Sequence, residues 1–230
     1  MRMSGLNFII GCILGFSSFS NCGQKHLNDQ KTLSTMMNPT SDSLKTDTAV
    51  LAGGCFWCLD AVYRNMKGVV DVISGYSNGT VKNPAYREVC TGRTGHAEVV
   101  KILFQPDSVS YAELLEVFWR IHDPTQLNRQ GNDVGTQYRS GIYYLTENQR
   151  DIALLSKKTL EEAGVYTGAI VTEIEPLSMF YPAEECHQDY YRLNGDNPYC
   201  HYVVGEKVEK FKKLFRERLR EAPLEKNGSR

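Results

Sequence analysis

The spacing of hydrophobic positions changes several times along the chain, and each change marks an element. "TAVLAGG" (48–54) is a short apolar run closed by two glycines, the pattern of a buried strand entering a tight turn. Phe56, Leu59, Tyr63 and Met66 then recur at intervals of 3, 4 and 3, which predicts a helix beginning at or near Cys55. Residues 69–76, "VVDVISGY", and 97–104, "AEVVKILF", alternate or run apolar in the manner of strands. Ser110 with Glu113 forms a capping box before a helix that carries Leu114, Val117, Phe118 and Ile121. Pro124 disfavours its continuation. A Gly-, Asn- and Gln-rich loop leads to Gln137, and "GIYYL" reads as the next strand. Thr146 and Gln149 box a further helix that Gly164 terminates, and "AIVTEIEPL" reads as another strand. Within residues 207–220, Val208, Phe211, Phe215 and Leu219 fall at helical spacing, so the cations among them read as a wet face.

Alternating strands and helices, without repeats or low complexity, predict an α+β two-layer sandwich. A ferredoxin-like core with a mixed or antiparallel sheet and long loops fits this order, although connectivity is not written in the periodicity.

The first 22 residues do not share these patterns. A basic start is followed by an apolar stretch from Leu6 to Phe19 and then by small polar residues. That is the layout of a secretory signal, too short and interrupted to span a bilayer. Its end, "FSNC", resembles a lipoprotein signal box with Cys22 as the lipidated residue, with Asn21 where Gly or Ala is usual. Residues 23–47 are polar and aperiodic and read as a flexible tether. The expected organisation is therefore signal 1–22, tether 23–47, one folded domain 48–219 and a disordered tail 220–230. It places the domain in the cell envelope, with a membrane contact only through the lipid.

Composition narrows the function classes. A net charge of −1 over 230 residues leaves no basic excess for phosphate backbones, which argues against a nucleic-acid partner. The 41% hydrophobic content is enough for one core. Seven cysteines occur, and setting aside Cys12 and Cys22 leaves Cys55, Cys58, Cys90, Cys186 and Cys200 in the domain. An odd number in an exported protein points to a working thiol rather than a closed disulfide framework.

The chemistry concentrates at "GGCFWC" (53–58). A cysteine in the first turn of a helix faces unpaired N–H groups and the positive end of the dipole, both of which favour thiolate. The two glycines allow a sharp turn and leave room for a ligand near the backbone. Cys58 lies one turn further along the same face, within reach of a disulfide. Three readings compete: a metal knuckle, a thioredoxin-like dithiol, and a nucleophile resolved by a second thiol. Zinc lacks ligands, because there is one C-x-x-C and His96, His122, His187 and His201 show no complementary spacing. Phe56 and Trp57 tilt the balance toward a nucleophile with its own apolar grip.

Outside that hexapeptide, "NPAYREVCTGRTGHAEVV", "HDPTQLNRQGNDVGTQYRSGIYY" and "HQDYY…NPYC" occur in order. With "GCFWC" they resemble the peptide methionine sulfoxide reductase A family over most of residues 50–202. The resemblance implies repair of oxidised proteins by reduction of the S epimer of methionine sulfoxide, free or in proteins. It implies no metal or organic cofactor, and a thioredoxin-like external dithiol as reductant; a monomer is expected. Residue by residue, Cys55 matches the nucleophile and Glu98 the acid, with Tyr86 and Tyr138 as phenols that hydrogen-bond the sulfoxide oxygen. Phe56 and Trp57 match the surface that holds the S-methyl group. Asp133 and His187 match polar residues of the same pocket, His187 with a structural hydrogen bond as its alternative role. The family's familiar pattern carries Gly where Cys58 stands and resolves with cysteines near the carboxyl end. Cys200 matches the first such position, with no cysteine after it. Cys200, Cys58 or a relay through both therefore resolves Cys55. Cys90 reads as a small buried hydrophobe in a strand-like run, and Cys186 has no assigned role.

Overall fold

Residues of β1 (Asp47–Gly53) point alternately to two buried faces, because the strand lies inside the sheet and both faces are covered. The computed structural model describes residues 45–221, so the signal-like segment with Cys22, the tether up to residue 44 and residues 222–230 lie outside the described residues. After β1 come α1 (Phe56–Arg64), β2 (Val69–Ser77), α2 (Tyr86–Val89), β3 (Ala97–Phe104) and α3 (Tyr111–Ile121). A small hairpin, β4 (Arg129–Gln130) and β5 (Asp133–Val134), precedes β6 (Ser140–Tyr144) and α4 (Glu147–Glu162). The remainder comprises β7 (Glu173–Pro176), β8 (Phe180–Pro182), α5 (Tyr190–Leu193) and α6 (Gly205–Leu214).

The main sheet has the order β7-β6-β1-β3-β2-β8. Its centre, β6-β1-β3-β2, is the fourth, first, third and second strand of a β-α-β-β-α-β unit, which is the ferredoxin-like arrangement. Pairings are antiparallel except β6 with β7, so the sheet is mixed. Leu51, Val100, Ile102 and Ile142 face the helices and pack with Leu59, Leu114, Phe118 and Phe211. Val50, Ala52, Val99 and Tyr143 face the other way, where Leu177 and Phe180 cover part of them.

Helix signals held where local chemistry alone decided. Ser110 accepts from the Glu113 N–H at 3.2 Å and Glu113 accepts from the Ser110 N–H at 2.8 Å, closing the expected box. At α4 only half of the expected box forms. Thr146 accepts from the Gln149 N–H, but the Gln149 side chain accepts from the Leu145 N–H and donates to the Thr48 carbonyl. The start of β1 offers a part-buried acceptor, and the amide goes there. The last helix stops at Leu214; a single turn at Arg216–Arg218 follows, and the Arg220 N–H reaches the Asn65 carbonyl at 2.9 Å. Val208, Phe211 and Phe215 are buried as their spacing implies.

The Gly53–Gly54 turn links β1 to α1 and fixes where Cys55 sits. Gly54 has φ +89°, and a Cβ there would lie 2.7 Å from Cβ and Cγ of Gln130. A Cβ on Gly53 would lie 3.2 Å from the Phe118 ring. The space expected to admit a ligand is thus filled by the protein's own side chains. Gln130 is held in turn by accepting from the Asp123 N–H at 3.0 Å and donating to its carbonyl at 3.1 Å. Gly54→Ala combines a disfavoured φ with a backbone-proximal clash, so it is expected to cost roughly 1–3 kcal/mol of stability. Urea unfolding checks this; an unshifted midpoint contradicts the packing account.

Candidate active site

Cys55 occupies the N-cap of α1, but its side chain makes no capping hydrogen bond. A remote carboxyl takes that place: the Phe56 N–H donates to Glu98 Oε2 at 3.0 Å. Glu98 comes from β3, where it pairs across the sheet with Tyr76 of β2. The strand register therefore sets an acidic group against the helix start that carries the cysteine. Glu98 is buried, at 1% exposure. Burial raises its pKa to about 8 against the pull of the Phe56 N–H, with the Asp133 and Cys58 charges adding to the rise. Glu98 is protonated at neutral pH, as its apolar neighbours in the sequence imply.

The cysteines behave differently from the sequence expectation. Cys55 and Cys58 share a hydrogen bond, and burial, that bond and the Glu98 charge push the Cys55 thiol up. The bond from Cys55 lowers Cys58 to about 7, against burial and with help from Lys207. Desolvation outweighs the helix terminus at Cys55, and the negative charge rests more readily on Cys58. Lys207 belongs to the run read as a wet face, yet it is half-buried and turned toward the dithiol. Cys200 is buried where the chain enters a wide π turn, Cys200–Val204; burial raises its pKa and the neighbouring Cys58 charge adds to that. Cys58 hydrogen-bonds Cys55 and is also the charge that Cys200 feels.

Phenols and carboxylates converge on the same place. Tyr86 opens α2, and Tyr138 ends a single turn after Gly135. Both are half-buried, and burial raises both pKa values, with the Glu98 charge contributing to each. They remain hydrogen-bond donors. The Cys55 and Asp133 charges also act on Tyr138. The β4–β5 hairpin turns at Gly131–Asn132 and presents Asp133, whose Oδ2 accepts from the Tyr199 hydroxyl at 2.7 Å.

Tyr199 was missed by the sequence reading. Its hydroxyl also bonds Cys55 and acts on Cys58, so it joins Asp133 to the dithiol. Its adjacency to Cys200 in "NPYC" was the available signal.

Aromatic packing builds the wall. Phe56 is fully buried beneath Tyr76 at 5.9 Å, Tyr86 at 6.5 Å and His187 at 5.6 Å between ring centroids. Trp57 is half-buried and stacks on Tyr190 at 3.7 Å with an 8° interplanar angle. His187 lies 4.3 Å from the Tyr86 ring and 5.6 Å from Trp57. Its Nδ1 is buried without a hydrogen-bond partner, and burial lowers its pKa, so the neutral ring is an aromatic part of the wall. Cys90 departs from expectation: it caps the short α2 rather than lying in a strand, and it is exposed beside Tyr86. Cys186 is exposed as well. Among the described residues there is no group of three or more His, Cys, Asp or Glu able to hold a metal ion.

A protein-family model described as peptide methionine sulfoxide reductase matches residues 47–219. The chain belongs to this family. It is therefore an oxidoreductase of the kind that acts on methionine sulfoxide. Peptide methionine sulfoxide reductase MsrA of Nautilia profundicola is 57% identical over 169 residues, covering 74% of this chain and 96% of the relative. The MsrA of Saccharolobus solfataricus is 53% identical over 175 residues, covering 76% and 97%. Among solved structures, reduced Mxr1 from Saccharomyces cerevisiae superposes with a TM-score of 0.63 at 36% identity, covering 70% of this chain and 92% of that one. Methionine sulfoxide reductase A of Corynebacterium diphtheriae gives 0.59 at 40% identity, with coverage of 65% and 76%.

The folded protein keeps the Glu98 proton until about pH 8, whereas the ordinary value is 4.5. Its stabilising contribution is complete below the ordinary value and is lost as pH rises through the folded one. A protonated-carboxyl infrared band is expected to disappear as pH rises through about 8 and to be absent from Glu98→Gln. A band lost near the ordinary carboxylate value contradicts the burial argument.

Proposed function

We propose that this reductase acts on the S epimer of methionine sulfoxide, free or within proteins, with Cys55 as nucleophile and Glu98 as acid. The observation that carries this reading is the buried carboxyl hydrogen-bonded to the first N–H after Cys55. A sulfoxide sulfur is a poor electrophile until its oxygen is protonated or strongly hydrogen-bonded. Glu98 supplies the proton, and the Tyr86 and Tyr138 hydroxyls hydrogen-bond the oxygen. Cys58, on which the charge rests more readily, takes the Cys55 proton. The Cys55 thiolate bonds the sulfoxide sulfur, the protonated oxygen passes to Cys55 as the S–O bond and the new S–S bond break, and methionine leaves with its sulfur reduced by two electrons. Cys55 is oxidised to sulfenic acid and retains the oxygen. Trp57, with the Phe56 ring beneath, grips the S-methyl group, as thioether carbons favour aromatic surfaces. Asp133 fixes Tyr199 beside the dithiol.

Resolution follows from which sulfur is nearest. Cys58 attacks the Cys55 sulfenic acid, forming a disulfide and releasing water. Cys200 then attacks Cys58, freeing Cys55 and leaving a Cys58–Cys200 disulfide that an external dithiol of the thioredoxin kind reopens by exchange. Support comes from the Cys55–Cys58 hydrogen bond and from the proximity of Cys200 to Cys58. Export and lipidation at Cys22 form part of the same proposal. They rest on the basic, apolar, then small-polar order of residues 1–22.

Glu98→Gln is expected to lower turnover on the order of 100-fold or more, the usual weight of a general acid. Wild-type activity should fall as pH rises above about 8, where Glu98 loses its proton. Turnover of only the R epimer, or insulin reduction without sulfoxide turnover, rejects the assignment. For resolution, one equivalent of sulfoxide is given without reductant and the sulfenic acid is trapped with dimedone. Cys58→Ser should accumulate the adduct on Cys55, whereas Cys200→Ser should stop at a Cys55–Cys58 disulfide. An adduct in Cys200→Ser and none in Cys58→Ser reverses the order. Lipidation predicts that labelled palmitate enters the wild-type chain in its host and not Cys22→Ser; equal labelling refutes it.

A further inference from the structure

Tyr86 stands on a weak support. α2 is a single turn, Tyr86–Val89, and its N-cap is Ala85, which has no side-chain acceptor. A helix this short does not hold itself together in water, because nucleation fixes several residues for one hydrogen bond. The direction of the Tyr86 side chain therefore depends on what holds the turn from outside. Glu88 binds back to the Ala85 N–H at 2.8 Å. The Tyr86 N–H itself donates to Oε1 of Glu184, also at 2.8 Å, across 98 residues of sequence.

Glu184 is tied down at several points. Its Oε2 accepts from the Tyr76 hydroxyl at 2.9 Å, and its carbonyl accepts from the His187 N–H at 2.9 Å. Next to it, the Ala183 N–H donates to the Ser74 carbonyl. Gln188 accepts from the Ser74 N–H at 2.9 Å and donates to the Ser74 and Ala183 carbonyls at 3.0 and 2.9 Å. The segment is therefore fastened to β2. Tyr76, the other arm of the clamp, pairs with Glu98 in the sheet and packs its ring against Phe56. One exposed carboxylate thus connects the Tyr86 turn, the strand opposite the acid, and the backbone of His187.

We propose that Glu184 is a positioning residue for Tyr86, holding its phenol where the sulfoxide oxygen is received. Glu184 lies outside the reacting atoms and acts through the Tyr86 N–H. The inference rests on the reading of Tyr86 as a donor to that oxygen, and the test separates the two. Single-turnover reduction of the S sulfoxide by the full chain is compared among wild type, Tyr86→Phe, Glu184→Ala, Glu184→Gln and the Tyr86→Phe/Glu184→Ala double variant. Displacement of a positioned group by about 1 Å can cost up to ~100-fold, so Glu184→Ala is expected to lose roughly 10- to 100-fold in the single-turnover rate constant. In the Tyr86→Phe background the same change should cost less than about twofold, because coupled sites are not additive. Glu184→Gln should retain most activity, since its amide oxygen can accept from the Tyr86 N–H and its NH₂ can donate to the Tyr76 oxygen. Alkylation of Cys55 by iodoacetamide should be unchanged in each.

Full, additive loss in the double variant, or an unimpaired Glu184→Ala, overturns the inference alone. A wild-type rate in Tyr86→Phe overturns the assignment of Tyr86 and the inference with it. Should Glu184→Ala fail to fold, Glu184→Asp replaces it in the cycle; the shorter carboxylate does not span both donors and should show the same non-additive loss.

Discussion

The hydrogen bond from the Phe56 N–H to Glu98 joins the first turn of α1 to the start of β3, and the chemistry of the site is arranged around it. A helix start needs acceptors, and here a sheet residue supplies one, so the carboxyl that meets the first N–H of α1 is also the one proposed as the acid. The register of β2 with β3 places Tyr76 opposite Glu98. The Gly53–Gly54 turn, closed over by Gln130 and Phe118, then fixes the cysteine next to it. Moving either the strand or the turn separates the acid from the thiol. Both groups are carried by β1 and β3, the two central strands of the sheet, through the turn after β1 and the second residue of β3.

The same closeness limits how much charge the site can carry. Asp133 and Cys58 raise Glu98, Glu98 raises Cys55, and Asp133 raises Cys58. In a buried space each added negative charge makes the next less favourable. Keeping Glu98 neutral therefore has two effects at once: it retains the proton that the proposed reaction uses, and it removes one penalty on a Cys55 thiolate. Lys207 and the Tyr199 hydroxyl act on the remaining charge, lowering Cys58 and, in the case of Tyr199, Cys55 as well. The roles proposed for Glu98 and Cys55 are compatible because the two groups need not be charged together.

Local signals carried most of the fold and the first tier of the site. The Ser110–Glu113 box, the helix begun after Cys55 and the apolar run of β3 are decided by neighbours in sequence and formed as read, with one exception. α1 ends at Arg64, and Met66, the last position of the 3–4–3 spacing, bridges to Leu219 instead. What escaped depended on contacts between distant segments. Gln149 left its own box for the Thr48 carbonyl, and Lys207 turned from the wet face toward the dithiol. Tyr199 and Glu184 gain their places only when the segment after β8 folds back over α1 and β2. The thiol expectation failed for a related reason: helix position is visible in sequence, but the burial that outweighs it is not.

That returning segment has an anchor of its own at the far end of α1. Arg64 lies against Asp60 at 3.0 Å and Asp189 at 3.7 Å, donates to the Val72 carbonyl, and all three charged side chains are nearly inaccessible. Burial lifts Asp60 to about 7 in spite of the guanidinium beside it, which shows how costly the charges are to enclose. An apolar cluster of similar volume could stabilise the fold as well, but it would not select one register for the segment. Asp189 adopts φ +52°, and its second oxygen accepts from Arg192 at 2.6 Å. These directional bonds fix the chain one residue before Tyr190, which stacks on Trp57, and two residues after His187, which lies against Tyr86. The buried ions thus do for the aromatic wall what Glu98 does for the thiol: a group awkward to bury is retained because its bonds point in only one direction.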